Sequence, residues 1–193
     1  MAKCKFSSSQ SGFSIIETIF ATGILATSVV ALAQMFSISV TNNHNARTGS
    51  YAVALAEQKM EQLRGLTYGF DTIGLPLTDL TTDTTQPIEV PLGAGGLGLT
   101  PSPSGTLNAN TNGYVDYIDQ FGNVLGGGTT PVNGTVYIRR WSIDPLPTDP
   151  NNTIIIQVMV TRSRSRGLAD QTGSTDRLKD EARIISVKTR KAQ

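Results

Sequence analysis

Glu17 is the one formal charge in the stretch from Phe13 to Val40, FSIIETIFATGILATSVVALAQMFSISV. A carboxylate in such surroundings needs a partner, because an ionised side chain at mid-bilayer depth costs roughly 2.5–3.5 kcal/mol on insertion scales. Cutting the chain after Gly12 creates one. The new α-amino group on Phe13 stands four residues before Glu17, and positions i and i+4 share a helix face. Amine and carboxylate then neutralise one another, within a subunit or between neighbours. Gly12 suits the cut, since its backbone carries no side chain to obstruct a peptidase.

Other constellations are weaker. No G-x-S-x-G, H-E-x-x-H or Walker sequence is present, so no enzymatic activity is expected. His44 is the only histidine and reads as a polar helix residue, not a general base. Asp116 and Asp119, before Gly122 and Asn123, are weak candidates for a calcium site, but their spacing does not match an EF-hand loop. Asp144, Asp149, Asn151 and Asn152 form a still weaker oxygen cluster. Arg162, Arg164 and Arg166 repeat at period two and would share a face on extended chain. With Arg139, Arg140 and Arg177 they are weak candidates for a nucleic-acid patch. The global charge does not favour DNA as a partner: 16 basic side chains less Lys3 and Lys5 leaves 14 against 15 acidic. Gly93 to Gly98 match G-x-G-x-x-G formally, but Pro101 and Pro103 follow where a dinucleotide site needs a helix. No cofactor is expected.

The elements that must position these residues follow from hydropathy. The chain has 193 residues, one cysteine and 16% charged residues, low for a soluble domain. Cys4 precedes the apolar run, which excludes a lipoprotein signal and an internal disulfide framework. Residues 1–12 are polar and carry Lys3 and Lys5 with no acid. The run that follows is long enough to cross a bilayer. Its basic flank predicts a cytoplasmic N-terminus with the remainder exported. An ordinary signal peptide cleaved after Ala33, at Ala31-Leu32-Ala33, competes with a permanent anchor. The run exceeds the usual apolar core of a signal peptide and contains an acid, which such cores lack.

Gly12-Phe13-Ser14-Ile15-Ile16-Glu17 and the apolar run resemble the cleavage and N-methylation motif of the type IV pilin family. The short basic leader agrees with it. Ala52–Arg64, AVALAEQKMEQLR, is similar to the second half of the long helix in minor pilins of the PilV type. Tyr114–Asp119, Tyr137–Trp141 and a C-terminal strand are also similar to that group. This chain lacks the proline that many major pilins carry in the apolar half-helix, and Gly23 is its candidate for a local break. The resemblance implies a minor pilin or pilin-like structural subunit, cleaved after Gly12 and methylated on Phe13 by prepilin peptidase. Glu17 would act in assembly. The implied partners are the peptidase, other pilin or pseudopilin subunits and the bacterial inner membrane, spanned once. The product would be a cell-surface or periplasmic filament. A minor pseudopilin of type II secretion is the first alternative. A secreted binding protein cut after Ala33 is an alternative of another class.

The expected fold is α+β, a long helix followed by a small antiparallel sheet. Residues 1–12 form a leader, 13–41 an apolar half-helix, 42–66 an amphipathic half-helix and 67–193 a loop-rich β domain. Val53, Ala56, Met60 and Leu63, with Tyr51 and Leu55 beside them, form the apolar stripe. Glu57, Lys59, Glu61, Gln62 and Arg64 are assigned to its polar remainder, and Gly65 to the stop. Residues 67–113 read as a long connection with one short strand at Ile88–Pro91. Strands are expected at Tyr114–Ile118, Thr135–Ile143, Thr153–Thr161 and Ala182–Thr189, giving three or four in one sheet.

Overall fold

The computed structural model describes residues 12–80, 97–164, 178 and 180–191. Its elements are α1 (Ile15–Gly65), β1 (Tyr68–Phe70), β2 (Pro76–Thr78), β3 (Val115–Ile118), β4 (Val124–Gly126), β5 (Tyr137–Pro145), β6 (Thr153–Arg162) and β7 (Ala182–Thr189). The protein is α+β, with a long N-terminal helix and a small antiparallel sheet. The chain divides into two compact units between His44 and Asn45.

In the first unit, α1 begins after Ser14, whose carbonyl accepts the Thr18 N–H at 3.1 Å. No proline interrupts the helix, and it runs unbroken through Gly23, the candidate for a local break. A single glycine costs a helix only about 1 kcal/mol. Phe13, Ile16, Phe20, Leu25, Val30 and Phe36 are all exposed. The most apolar 18-residue stretch has a mean hydropathy of 2.0, and none of it is buried. By length and composition, the helix can cross a membrane.

In the second unit, the same helix is half covered. Ala52, Leu55, Ala56, Met60 and Leu63 share a buried cluster with Tyr137, Trp141, Ile143, Ile156, Val158 and Val160 of the sheet. Val53 stands outside that stripe and is exposed, while Ala52 takes its place. The sheet has five strands in the order β4-β3-β5-β6-β7, all antiparallel, one more than the upper expectation. The extra member, β4, returns from β3 through a turn at Asp119–Asn123. Gly122 takes φ +93° there, and a Cβ on it would stand 2.6 Å from the Tyr51 hydroxyl, so only glycine fits.

β1 and β2 form a separate antiparallel hairpin in the part of the 67–113 connection where the sequence suggests no strand. Its turn is organised by the Asp71 carboxylate, which accepts the N–H groups of Ile73 and Leu75 at 3.0 and 2.7 Å. The expected strand at Ile88–Pro91 lies outside the described residues, as do Gly93–Gly96 of the glycine-rich run. The opposite face of the sheet carries a second cluster of Val115, Tyr117 and Ile138.

The helix end is closed by tertiary structure. The Lys188 ammonium, from β7, donates to the carbonyls of Leu63 at 3.5 Å, Arg64 at 2.7 Å and Leu66. These include carbonyls that a helix terminus leaves without partners, and a cation suits the negative end of the dipole.

Candidate functional site

At the start of α1, Gly12, Phe13 and Ser14 precede the helix, and Phe13 is 84% exposed. The bond between Gly12 and Phe13 therefore lies in accessible, non-helical chain. Ser14 occupies the N-cap position and Glu17 the third helical position, where a carboxylate favours the positive end of the helix. The Glu17 side chain is exposed and has no hydrogen bond or ion pair among the described residues. Its neighbours behave differently. Thr18 and Thr22 bond back to the carbonyls of Ser14 and Thr18 at 3.2 and 2.8 Å. Thr27 and Ser28 do the same toward Gly23 and Ile24 at 3.2 and 2.7 Å. Their hydroxyls are thus satisfied within the helix, as an apolar medium requires. Gln34 joins Glu17 as a polar side chain without a bond among the described residues.

In the second unit the titratable groups are arranged in the opposite way. Lys59 and Asp116 are both fully buried, with Nζ 3.1 Å from Oδ2. Arg139 donates to the same oxygen through Nε at 2.9 Å and Nη2 at 2.7 Å. Its Nη1 bonds the Leu55 carbonyl at 3.0 Å and Gln58 Oε1 at 3.1 Å. Lys59 also stands 3.8 Å from the centre of the Trp141 ring, a cation–π contact in a dry site. The cluster joins the helix to β3 and β5 through charge-assisted bonds. Two buried polar atoms there, Asp116 Oδ1 and Trp141 Nε1, have no hydrogen-bond partner among the described residues.

These positions correct several expectations. Lys59 lies on the buried stripe, not in the polar remainder, because it follows Leu55 by four and precedes Leu63 by four. Asp116 is an ion-pair partner in the core. Asp119 sits in its own turn and accepts the Phe121 and Asn123 N–H groups at 2.7 and 2.9 Å. The two aspartates do not converge, and among the described residues no group of three such side chains is placed to hold a metal. Burial raises the cost of the Asp119 charge, but bonds from the Asn123 side chain and three backbone N–H groups outweigh it. Its carboxyl is held below the ordinary aspartate value.

The basic patch also disperses. Arg139 is in the core cluster. Arg140 is buried on the other face and donates to Asn110 Oδ1 through Nε at 2.9 Å. β6 ends at Arg162, and Ser163 and Arg164 are helical, so the period-two spacing does not continue along extended chain. Arg166 and Arg177 lie outside the described residues.

Arg190 was not singled out by the sequence. It stacks 4.2 Å from the Tyr68 ring and bonds the carbonyls of Asn151, Gly69 and Leu77, tying the β1–β2 hairpin to the sheet. No local pattern marks such a residue, because its partners are far away in the chain. No family model, curated protein or solved structure matches this chain.

Proposed function

We propose that the chain is a minor type IV pilin or pilin-like structural subunit. On this reading it is anchored in the bacterial inner membrane, cut after Gly12 and methylated on Phe13 by prepilin peptidase. It then assembles with other subunits through its apolar half-helix. The observation that carries the proposal is the single carboxylate of Glu17, without a partner among the described residues, at the head of an exposed apolar helix and four residues beyond Phe13 of an accessible Gly12–Phe13 bond. A carboxylate left alone in hydrocarbon is unfavourable, and the amine of a processed Phe13 is the partner that resolves it. The chain's role is mechanical, with no reaction catalysed by its own residues. A pseudopilin of type II secretion would use the same residues in the same way.

Mass spectrometry of the mature protein tests the reading. The expected first residue is N-methylated Phe13. Gln34 as the first residue would replace this proposal with a secreted protein cut after Ala33.

A further inference from the structure

β7 is an edge strand of the five-stranded sheet, and among the described residues it is paired on one side only, by β6. Two hydrogen bonds just beyond it show which of its backbone groups are open. The Arg190 N–H reaches the Asn152 carbonyl at 2.8 Å, toward the β6 side, and the Lys191 N–H reaches the Tyr68 carbonyl at 3.3 Å, on the outer side. Backbone groups of successive residues point to opposite edges of a strand. Arg183, Ile185 and Val187 therefore direct their N–H and C=O groups outward, where they meet no partner among the described residues. This open stretch is bounded at both ends. Tyr68 and Gly69 occupy the outer side of Lys191. Before the strand the chain turns, with the Glu181 N–H on the Leu178 carbonyl at 3.1 Å. The midpoint between Arg183 and Val187 is Ile185.

The side chains along this edge are self-complementary about that midpoint. Burial alternates along β7, so that Ile184 packs against the core while Arg183, Ile185 and Val187 are exposed on the other face. Ile185 and Val187 are each 59% exposed. Acidic residues, Asp180 and Glu181, stand just before the strand, and basic residues, Lys188, Arg190 and Lys191, stand at its end. Lys188 is engaged at the helix terminus and Arg190 on the β1–β2 hairpin. The Lys191 ammonium is exposed and has no hydrogen bond or ion pair among the described residues. The Glu181 carboxylate accepts the Leu178 N–H at 3.4 Å, which is long for a hydrogen bond. Glu181 and Lys191 each lie an even number of residues from Ile185, so both belong to its face.

We propose that the β7 edge is a dimerisation surface and that its occupant is the β7 edge of a second copy, related by a two-fold axis through Ile185. Antiparallel pairing sets Ile185 against Ile185 and, on each side of the axis, Arg183 against Val187. Each of these pairs exchanges two backbone bonds. Glu181 of one copy then faces Thr189 of the other and lies diagonal to its Lys191, within reach of two long side chains. Sliding the pairing so that Ile185 meets Val187 would bring Glu181 opposite Lys191, where Tyr68 and Gly69 already sit. Sliding it the other way carries Glu181 away from Lys191. One patch serves both copies, as two-fold symmetry requires, and the pairing covers an apolar edge that is otherwise a template for any strand. An interface of one strand from each copy is small, so the dimer is concentration-dependent. The proposal uses residues of the second unit alone and does not rest on the filament reading.

The test is sedimentation equilibrium of the full-length protein in detergent micelles, with the fold followed by circular dichroism. Wild type should pass from monomer to dimer as concentration rises. Glu181→Lys and Lys191→Glu each set like charges across the axis, and each alone should weaken dimerisation about tenfold. Mixing these two variants should restore it, because their heterodimer places Lys against Glu at both ends. Ile185→Pro removes an outward N–H and no bond to β6, so the circular dichroism spectrum should persist while the dimer is lost. A wild type that stays monomeric would overturn the proposal. So would single reversals without effect, a mixture no tighter than either variant alone, or a folded Ile185→Pro that still dimerises. If Ile185→Pro does not fold, the mixture decides. Association through the apolar half-helix would be indifferent to all of these substitutions and is thereby told apart from β7 pairing.

Discussion

The two stretches of α1 on either side of His44 place charge in opposite ways. Before His44, apolar side chains are exposed and Glu17 has no partner among the described residues. After Asn45, the apolar stripe is covered and Lys59 is completely buried, held by Asp116 and facing Trp141. The same backbone geometry runs through both. Hydropathy alone ranks the first stretch as the place to bury and Lys59 as a residue to expose. What decides is whether the chain supplies its own cover and counter-charge. The second stretch has the sheet and Asp116. The first has neither among the described residues of its unit.

The largest break in this contrast is Asp116→Ala. It leaves Lys59 and Arg139 buried without their carboxylate and should cost about 3–5 kcal/mol in denaturant unfolding. A sharper version replaces all three as Lys59→Met, Asp116→Leu and Arg139→Met. That variant should be far more stable than Asp116→Ala alone, and comparable to wild type, since no orphaned charge remains. Equal loss in both would show that shape, not charge, holds the helix on the sheet.

Next is Leu63→Ala, which empties a fully buried position against the sheet and should cost roughly 2–5 kcal/mol in the same assay. The corresponding change in the first stretch, Leu25→Ala, should leave the unfolding of the second unit unchanged, since Leu25 is exposed and lies in the other unit. A fragment beginning at Asn43 should accordingly be soluble and folded by circular dichroism.

Asp119→Ala should cost less, about 0.5–1 kcal/mol at neutral pH, through loss of its turn hydrogen bonds. The Asp119 carboxyl lies below its unfolded value, so its contribution is complete above the ordinary aspartate range. It disappears as the pH falls through the lower folded value. The difference between variant and wild type should therefore shrink in acid and stay constant above neutrality.

The smallest effect on stability belongs to Glu17→Val, which should leave second-unit unfolding unchanged and should not impair membrane insertion. On the proposed filament reading, its effect should appear elsewhere, as a reduced ratio of the protein in sheared filaments to that in the membrane, with cleavage after Gly12 intact. An unchanged ratio would remove Glu17 from assembly and with it the electrostatic account of this residue.

Local periodicity carried much of this molecule. The apolar run, the helix stop near Gly65, the alternation in β5 and the apolar character of β6 are properties of neighbours in sequence, and neighbours interact through a fixed backbone repeat. Tyr137, Arg139, Trp141 and Ile143 alternate along β5, share one face and are all buried. The spacing of Lys59 from Leu55 and Leu63 also marked the covered stripe, but a lysine suggests solvent until its counter-ion is known. That counter-ion, Asp116, comes from another strand. Only the register of β3 against β5, which sets Asp116 opposite Arg139, brings it beneath the helix. The Lys188 cap on the α1 terminus and the Arg190 clamp on the β1–β2 hairpin are decided in the same way. Their partners lie far along the chain, and contacts closed over such loops depend on the packed sheet, not on any pattern that the intervening residues display.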